Sequence, residues 1–125
     1  MEGSIVVVDD IPSLLALAGR FLDGLGYEVE CFQDPLLALK RVQDRTKKKV
    51  LFLITDFDLE AEVTGKDIAE KARENGIPLV WLHSSNTGKI PDQELLRAKR
   101  ISVRMKKLNF GFRTEVANSL KSLPG

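Results

Sequence analysis

The sequence is poor in the residues that mark several common functional classes. It contains one cysteine, Cys31, and one histidine, His83, so an internal disulfide is excluded and a zinc site made of these ligands is not expected. Its net charge of +1 favours neither nucleic acid nor a membrane surface as a partner. No apolar run approaches the ~18 residues of a membrane span, and no signal-like segment opens the chain. We therefore predict a cytoplasmic protein in which Cys31 is a small buried residue.

The length of the chain, 125 residues of which 43% are hydrophobic, fits one domain. A chain of this length buries about two-thirds of the surface that it exposes when unfolded, and no second folded unit fits. We predict a single domain over residues 1–125, with no output domain in the chain. Whether the chain acts alone or belongs to a longer protein stays open.

Short apolar segments alternate along the chain with segments of helical periodicity. The short segments are predicted as strands, at residues 5–8, 27–32, 50–56, 77–82 and 101–105. Apolar residues at helical spacing predict a helix after each strand. In the first two helices the expected inward stripes are Leu14, Leu17, Ala18, Phe21 and Leu25, then Leu36, Leu39 and Val42.

The character of each strand predicts its place in the sheet. Strands one, three and four are apolar on both faces and belong in the interior, whereas strands two and five alternate and belong at the edges. With right-handed crossovers, the order is 2-1-3-4-5. The predicted fold is α/β, a flavodoxin-like (βα)5 doubly wound parallel sheet, whose switch point lies between strands one and three.

Carboxylates end both strands at this switch point. Asp9 and Asp10 follow the first strand, Asp56 ends the third, and Asp58 comes two positions later. Two such charges about 4 Å apart repel by roughly 4 kcal/mol at an effective dielectric near 20, so the cluster is costly without a cation. Hard oxygen ligands of this kind suit Mg²⁺.

The neighbouring strand ends add a hydroxyl and an ammonium. Ser84, or less favourably Ser85, follows strand four, and Lys106 follows strand five. Aspartate is a competent nucleophile toward a phosphoryl group, because the transfer needs mainly in-line positioning and charge neutralisation. The set predicts phosphoryl transfer to Asp56, although loop serines and lysines at strand ends are more often simply solvated.

The whole chain resembles the receiver domains of two-component response regulators. The residues that carry the resemblance are the opening Ile-Val-Val-Val-Asp-Asp-Ile-Pro at 5–12, Leu-Phe-Leu-Ile-Thr-Asp at 51–56, Gly-Lys-Asp-Ile at 65–68 and Ile-Pro-Leu-Val-Trp-Leu at 77–82. The resemblance implies that Asp56 accepts a phosphoryl group from a sensor histidine kinase or a histidine phosphotransfer protein. It also implies that Asp9, Asp10, Asp56 and the backbone carbonyl of Asp58 hold Mg²⁺, and that Lys106 contacts the phosphoryl group. Any enzymatic activity would be limited to self-phosphorylation and self-dephosphorylation.

The departures from this family lie mainly on the signalling side. Counting from Pro78 puts His83 at the switch hydroxyl position, and a shift of one residue puts Ser84 there. The loop from Asp56 to Gly65 is one residue longer than usual and should be reshaped. Five other family positions carry unusual residues: Glu60 and Lys107 for proline, Val103 for an aromatic residue, and Lys99-Arg100 for Gly-Ala. We therefore expect a divergent receiver that does not signal through the usual hydroxyl and aromatic pair.

Two other functions fit parts of the pattern. The first is a pseudo-receiver that binds an acidic downstream partner, without phosphorylation, through the fourth helix, fifth strand and fifth helix. Nucleic acid is not expected there, because no groove-reading helix accompanies the charge, and plain solvation is the simplest alternative. The oligomeric state stays open, with a homodimer as one alternative. The basic residues of this surface are Arg97, Lys99, Arg100, Arg104 and Lys107.

The second alternative is a phosphatase. Asp56-Phe57-Asp58 also resembles the nucleophile motif of haloacid-dehalogenase-like phosphatases, in which the second Asp is the general acid. That family usually has Thr or Val where this chain has Glu60, and its acidic pair comes late, whereas Asp9-Asp10 comes first. No cap domain fits in the chain, so this reading is remote.

Overall fold

The computed structural model describes residues 3–124, which form a parallel sheet with helices on both faces. The strands are β1 (Ser4–Val8), β2 (Glu28–Phe32), β3 (Val50–Asp56), β4 (Leu79–Ser84) and β5 (Ser102–Met105). The helices are α1 (Pro12–Leu22), α2 (Pro35–Gln43), α3 (Gly65–Glu74), α4 (Gln93–Ala98) and α5 (Phe110–Lys121), and a 3-10 turn covers Thr87–Lys89.

The strand order is β2-β1-β3-β4-β5, all parallel, which confirms the predicted flavodoxin-like α/β fold. Every residue of β1 is buried, and β3 and β4 each have one half-buried residue, whereas β2 and β5 are partly exposed. Strands that are apolar on both faces therefore occupy the centre, and alternating strands form the edges.

Each face of the sheet has its own apolar core, because successive strand residues point to opposite sides. One core joins the sheet to α2, α3 and α4, and the other joins it to α1 and α5. In β4, Val80 and Leu82 belong to the first core and Trp81 to the second. This alternation decides which side chains at the end of β4 face which helices.

Capping side chains fix where three of the helices begin. Asp34 accepts a hydrogen bond from the Leu36 N–H at 2.9 Å, and Asn109 accepts one from the Phe112 N–H at 3.1 Å. Thr64 and Asp67 form a reciprocal capping box at the start of α3. Such caps each contribute about 1 kcal/mol to stability. The Thr64–Asp67 capping box also fixes where the loop that leaves β3 ends.

The predicted inward stripes of the first two helices were partly wrong. In α1 the buried residues are Leu15, Ala18 and Leu22, because the helix starts in a register that turns Leu14 and Leu17 to the edge of the core. In α2 Leu36 is 54% exposed. That helix buries Pro35, Ala38, Arg41 and Val42 instead.

Arg41 is buried because β2 supplies its counter-charge. Its guanidinium donates two hydrogen bonds to Glu30, at 2.8 and 3.0 Å, and one to the Lys48 carbonyl at 2.6 Å. The guanidinium lowers the pKa of Glu30, although partial burial acts in the opposite direction. The expectation for Cys31, in the same strand, was wrong: it is exposed, because an edge strand covers only part of its surface.

None of the helices within residues 3–124 is both long and apolar enough to cross a membrane.

Candidate functional site

The carboxyl ends of β1 and β3 bring three carboxylates together. One oxygen from each of Asp9, Asp10 and Asp56 lies within 4.8 Å of the other two. Asp9 and Asp56 are buried and Asp10 is half-buried. The Asp9 carboxylate accepts a hydrogen bond from the Ile11 N–H, two residues later, at 2.9 Å, and this contact orients one carboxylate oxygen. Parallel pairing of the two strands, with Val8 opposite Thr55, brings their ends to one edge of the sheet.

Lys106 comes to the same point from the end of β5. Its backbone N–H donates to the Ser84 carbonyl at 2.9 Å, which continues the pairing of β4 and β5 past Met105. Its ammonium contacts Asp9 Oδ2 and lies 3.4 Å from Asp56 Oδ2. The side chain is only 11% exposed, so this contact takes place largely out of water. The peptide bond to Lys107 is trans, so the loop differs from one built on a cis proline.

The loop between β3 and α3 is tied to its neighbours at its start and near its middle. The Phe57 N–H donates to the His83 carbonyl at 2.7 Å, and the Glu60 N–H donates to Asp10 Oδ2 at 3.1 Å. A proline at position 60 would have no N–H to donate. The unusual residue thus contributes a contact through its backbone, which its side-chain type gave no reason to expect.

Gly65 allows the start of α3 to approach the end of β3. A Cβ at this position would lie 1.8 Å from the Asp56 carbonyl oxygen and 2.9 Å from Phe57 Cα. No side chain fits between these backbone segments, so glycine is required by close approach. Gly65 therefore helps to set the position of Asp56.

A cavity of about 650 Å³ opens over the acids. Asp10, Asp56, Asp58 and Glu60 line it with carboxylates, and Lys106 is the one cation among its lining residues. Ser85 also lines this cavity, whereas Ser84 does not. The local charge is therefore strongly negative, which favours a cation in the cavity.

Burial raises the pKa of Asp56 to about 6. The Lys106 ammonium opposes this rise, and the neighbouring charge of Asp9 adds to it. Asp56 is thus mainly ionised at neutral pH, but in an environment that disfavours its charge. A divalent cation or an electrophile at this carboxylate would relieve that cost.

The donor set fits Mg²⁺. The carboxylates of Asp9, Asp10 and Asp56 supply hard oxygen atoms within reach of one ion. The Asp58 carbonyl accepts no hydrogen bond from residues 3–124, so its oxygen is available as a further ligand. The acidic cluster is compatible with Mg²⁺ by the chemistry of its donors.

His83 and Ser84 point to opposite faces of the sheet. His83 continues the row of Trp81, and its ring centroid lies 5.7 Å from that of Phe112 on α5. Burial, together with the positive charges of Lys106 and Arg104, lowers the pKa of His83 to about 4. Ser84 continues the row of Leu82, facing the core against which Val103 also packs. Its hydroxyl donates to the Asn86 carbonyl at 3.0 Å and accepts from the Asn86 N–H at 3.1 Å.

The basic surface predicted from the sequence is partly neutralised. Lys99 pairs with Glu70, and Arg104 donates to Glu115 at 2.8 Å. Arg97 and Arg100 line a cavity of about 370 Å³ beside β5. Arg100 has a left-handed backbone, with φ of 62°. Arg104 lines the same cavity but is paired with Glu115, so the positive charge of this surface is concentrated on Arg97 and Arg100.

Comparisons with solved structures show the same architecture. This chain matches a CheY-like response regulator receiver domain protein from Methanospirillum hungatei JF-1, with 18% identity and a TM-score of 0.76. The match covers 97% of this chain and 92% of that protein. It matches the chemotaxis protein CheY4 of Vibrio cholerae over 97% of this chain and 98% of that one, with 20% identity and a TM-score of 0.70. The receiver domain of the hybrid histidine kinase CckA matches over 94% and 97%, with the same identity and TM-score.

The chain has the fold of a CheY-like receiver domain. No protein-family model matches its sequence, and no curated protein does. Identities of 18 to 20% show the receiver fold alone and indicate a divergent sequence. The departures noted above are consistent with that distance.

Proposed function

We propose that this protein is a receiver in cytoplasmic phosphorelay signal transduction, with Asp56 as the phosphoacceptor. The observation that supports this function best is the group of Asp9, Asp10, Asp56 and Lys106 at the carboxyl edge of a receiver-like sheet. The donor would be the phosphohistidine of a sensor histidine kinase or a histidine phosphotransfer protein.

The transfer would use Asp56 as the nucleophile. One carboxylate oxygen forms a bond to phosphorus while the P–N bond of the phosphohistidine breaks. The electron pair of that bond stays on the imidazole nitrogen, which leaves as a neutral or protonated ring. Asp56 meets the requirement of access, because it lines the open cavity while its neighbours hold it in place.

Two cations would neutralise the transferred group. Lys106, now shared between Asp9 and Asp56, is placed to turn from these carboxylates to a phosphoryl oxygen as a point charge. Asp9, Asp10, Asp56 and the Asp58 carbonyl would hold Mg²⁺, which would supply charge neutralisation. A hydroxyl could also donate a hydrogen bond to a phosphoryl oxygen. Ser85 is better placed than Ser84 to do so, because Ser85 lines the cavity.

The signalling step would differ from the usual one. Ser84 shares its face of the sheet with Val103, so it is Ser84, not His83, that fits the position of a hydroxyl paired with an aromatic residue. Val103 has no ring to rotate, and the Ser84 hydroxyl already has both partners in Asn86. Phosphorylation would therefore have to break the Ser84–Asn86 turn to use this hydroxyl.

Incubation with Mg²⁺ and a small phosphodonor, such as phosphoramidate, tests the function. We expect a hydroxylamine-sensitive mass gain of one phosphoryl group in the wild type and none in Asp56→Asn. Asp58→Asn is the matched control, because Asp58 is assigned a role only through its backbone carbonyl, and it should retain the gain. No gain with any donor would contradict the proposal. Continuous turnover of a phosphate ester would instead indicate the phosphatase alternative.

A second candidate is a phosphorylation-independent partner surface on α4, β5 and α5. The observation that favours it is the cavity lined by Arg97 and Arg100, whose charges have no salt-bridge partner within residues 3–124. An acidic protein is the partner with complementary charge. Loss of salt-dependent binding in the double variant Arg97→Glu and Arg100→Glu, but not in Asp56→Asn, would support this function over the first.

A further inference from the structure

Glu60 places a further carboxylate in the acidic cavity. Its backbone N–H donates to Asp10 Oδ2 at 3.1 Å, which holds the residue beside a proposed Mg²⁺ ligand. Glu60 lines the cavity together with Asp10, Asp56 and Asp58. A proline at this position would have no N–H to make the contact. The departure from the family at position 60 therefore both adds a negative charge near the phosphoacceptor and supplies the bond that keeps it there.

The charge of Glu60 is not neutralised within the part of the chain that the structure describes. Its carboxylate forms no salt bridge and accepts no hydrogen bond within residues 3–124. Lys106, the one cation among the lining residues, contacts Asp9 and lies 3.4 Å from Asp56 Oδ2 instead. Glu60 is also exposed, so its charge faces the solvent from which a phosphoryl donor must come.

The cavity stays negative even with a divalent cation in place. Its four lining carboxylates belong to Asp10, Asp56, Asp58 and Glu60. One Mg²⁺ would neutralise two of these charges, and the Lys106 ammonium already faces the buried carboxylate of Asp9. Negative charge thus remains along the path by which a donor reaches Asp56. Such a field slows the approach of an anion and speeds that of a cation.

Phosphoryl donors differ in the charge that they bring to this cavity. A small acyl phosphate is doubly negative at neutral pH, whereas a phosphohistidine sits on a protein surface whose basic residues can offset the phosphoryl charge. We propose that Glu60 selects phosphoryl donors by charge, favouring a phosphohistidine on a positively charged protein surface and disfavouring small acyl phosphates. This inference rests on the proposed function of Asp56 as phosphoacceptor, and it gives Glu60 no part in the chemical step.

Two small donors of different charge test this selection. Acetyl phosphate is doubly negative at neutral pH and releases acetate when its phosphoryl group is transferred. Phosphoramidate carries one net negative charge and releases ammonia. We would measure the rate constant of the mass gain at Asp56 with each donor at saturating Mg²⁺, and take the ratio of the two constants as the selectivity. Because this ratio compares two donors on one protein, a general loss of reactivity in a variant cancels.

Removal of the Glu60 charge should change the two rate constants unequally. In water, one charge about 7 Å away changes a rate constant about threefold for each charge on the donor. Glu60→Gln should therefore speed the reaction of acetyl phosphate about tenfold and that of phosphoramidate about threefold. Glu60→Asp keeps the charge and should keep the wild-type ratio. Glu62→Gln is the matched control, because Glu62 is an exposed residue of the same loop that does not line the cavity.

Salt separates an effect of charge from an effect of loop shape. High ionic strength screens exposed charges, so the selectivity of the wild type should approach that of Glu60→Gln as salt is added. An equal change of both rate constants in Glu60→Gln, or the same change of selectivity in Glu62→Gln, would overturn the inference while leaving the phosphoacceptor function intact. Absence of a mass gain with both donors in every variant would instead contradict that function, and this inference with it.

Discussion

Asp56 combines two properties that a phosphoacceptor needs and that oppose each other. It must be buried enough to keep water from the reacting group, and ionised enough to attack phosphorus. Burial raises its pKa to about 6, while Lys106 holds it down from a higher value. The residue therefore has a charge at neutral pH that the folded protein tolerates poorly in the absence of a cation.

This conflict predicts that Asp56→Asn stabilises the protein at pH 7 without Mg²⁺. One pKa unit corresponds to about 1.4 kcal/mol, and solvent in the open cavity screens part of the penalty, so we expect a gain of about 1–2 kcal/mol in the free energy of unfolding. The penalty is present where Asp56 is ionised, above pH 6, and disappears below its ordinary pKa near 4. Urea unfolding of the wild type and the variant at pH 7 and pH 4 measures the gain and its disappearance. A variant less stable than the wild type at pH 7 would contradict the assignment.

His83 makes the opposite contribution to pH dependence. Its pKa is lowered to about 4, so the unfolded chain takes up a proton below pH 6.5 and the folded chain does not. Stability that is fully present above pH 6.5 is therefore lost as the pH falls toward 4. We expect the advantage of the wild type over His83→Gln to shrink by about 2 kcal/mol between pH 7 and pH 5. The contribution of Asp56 is the same in both proteins and cancels in the difference. Parallel curves of unfolding free energy against pH for the two proteins would show that His83 is not buried as described.

The junction between β3 and α3 determines whether the site is assembled. Gly65 lets the two elements touch, the Thr64–Asp67 capping box fixes the first turn of α3, and the Glu60 N–H ties the loop to Asp10. Each of these contacts involves backbone atoms, and at Gly65 it also depends on the absence of a side chain. They show how a lengthened loop can still hold the acids in place.

Gly65→Ala tests this junction. Its Cβ would lie 1.8 Å from a backbone oxygen, so α3 or the end of β3 must move, and we expect a loss of at least about 2 kcal/mol in unfolding free energy together with weaker phosphorylation. Gly19→Ala on α1 is the control, because its Cβ meets only the Cys31 sulfur at 3.3 Å. The control should stay within about 1 kcal/mol of the wild type. Equal effects of the two substitutions would refute the close-approach argument.

The strand order could be predicted because the pattern of apolar residues in each strand indicates how deeply that strand is buried. Strands that are apolar on both faces identify the interior, and the acids follow from where parallel strands end. The face of His83 and Ser84 could not be predicted, since β4 is apolar throughout and a shift of one residue is invisible in such a run. The adjacent leucines 14 and 15 hide the register of α1 in the same way. The Glu60 N–H bond leaves no trace in a side-chain pattern at all.

Across the molecule, charge is arranged in separate regions. Carboxylates concentrate at the carboxyl edge of the sheet, while Arg97 and Arg100, which form no salt bridge within residues 3–124, lie beside β5, and the net charge is only +1. Under the proposed functions, the first region would attract a cation, which would in turn neutralise a phosphoryl group, and the second would attract an acidic partner. We infer that the acids at the ends of β1 and β3 share one cation, beside the Lys106 ammonium from the end of β5.

A crystal structure of the chain with Mg²⁺ and beryllofluoride tests this claim most directly. We expect one Mg²⁺ ligated by Asp10 and Asp56, beryllofluoride bonded to an Asp56 oxygen, and the Lys106 ammonium turned from Asp9 to a fluorine atom. An ion bound elsewhere, or Asp56 free of beryllofluoride while Lys106 keeps its present contacts, would contradict it.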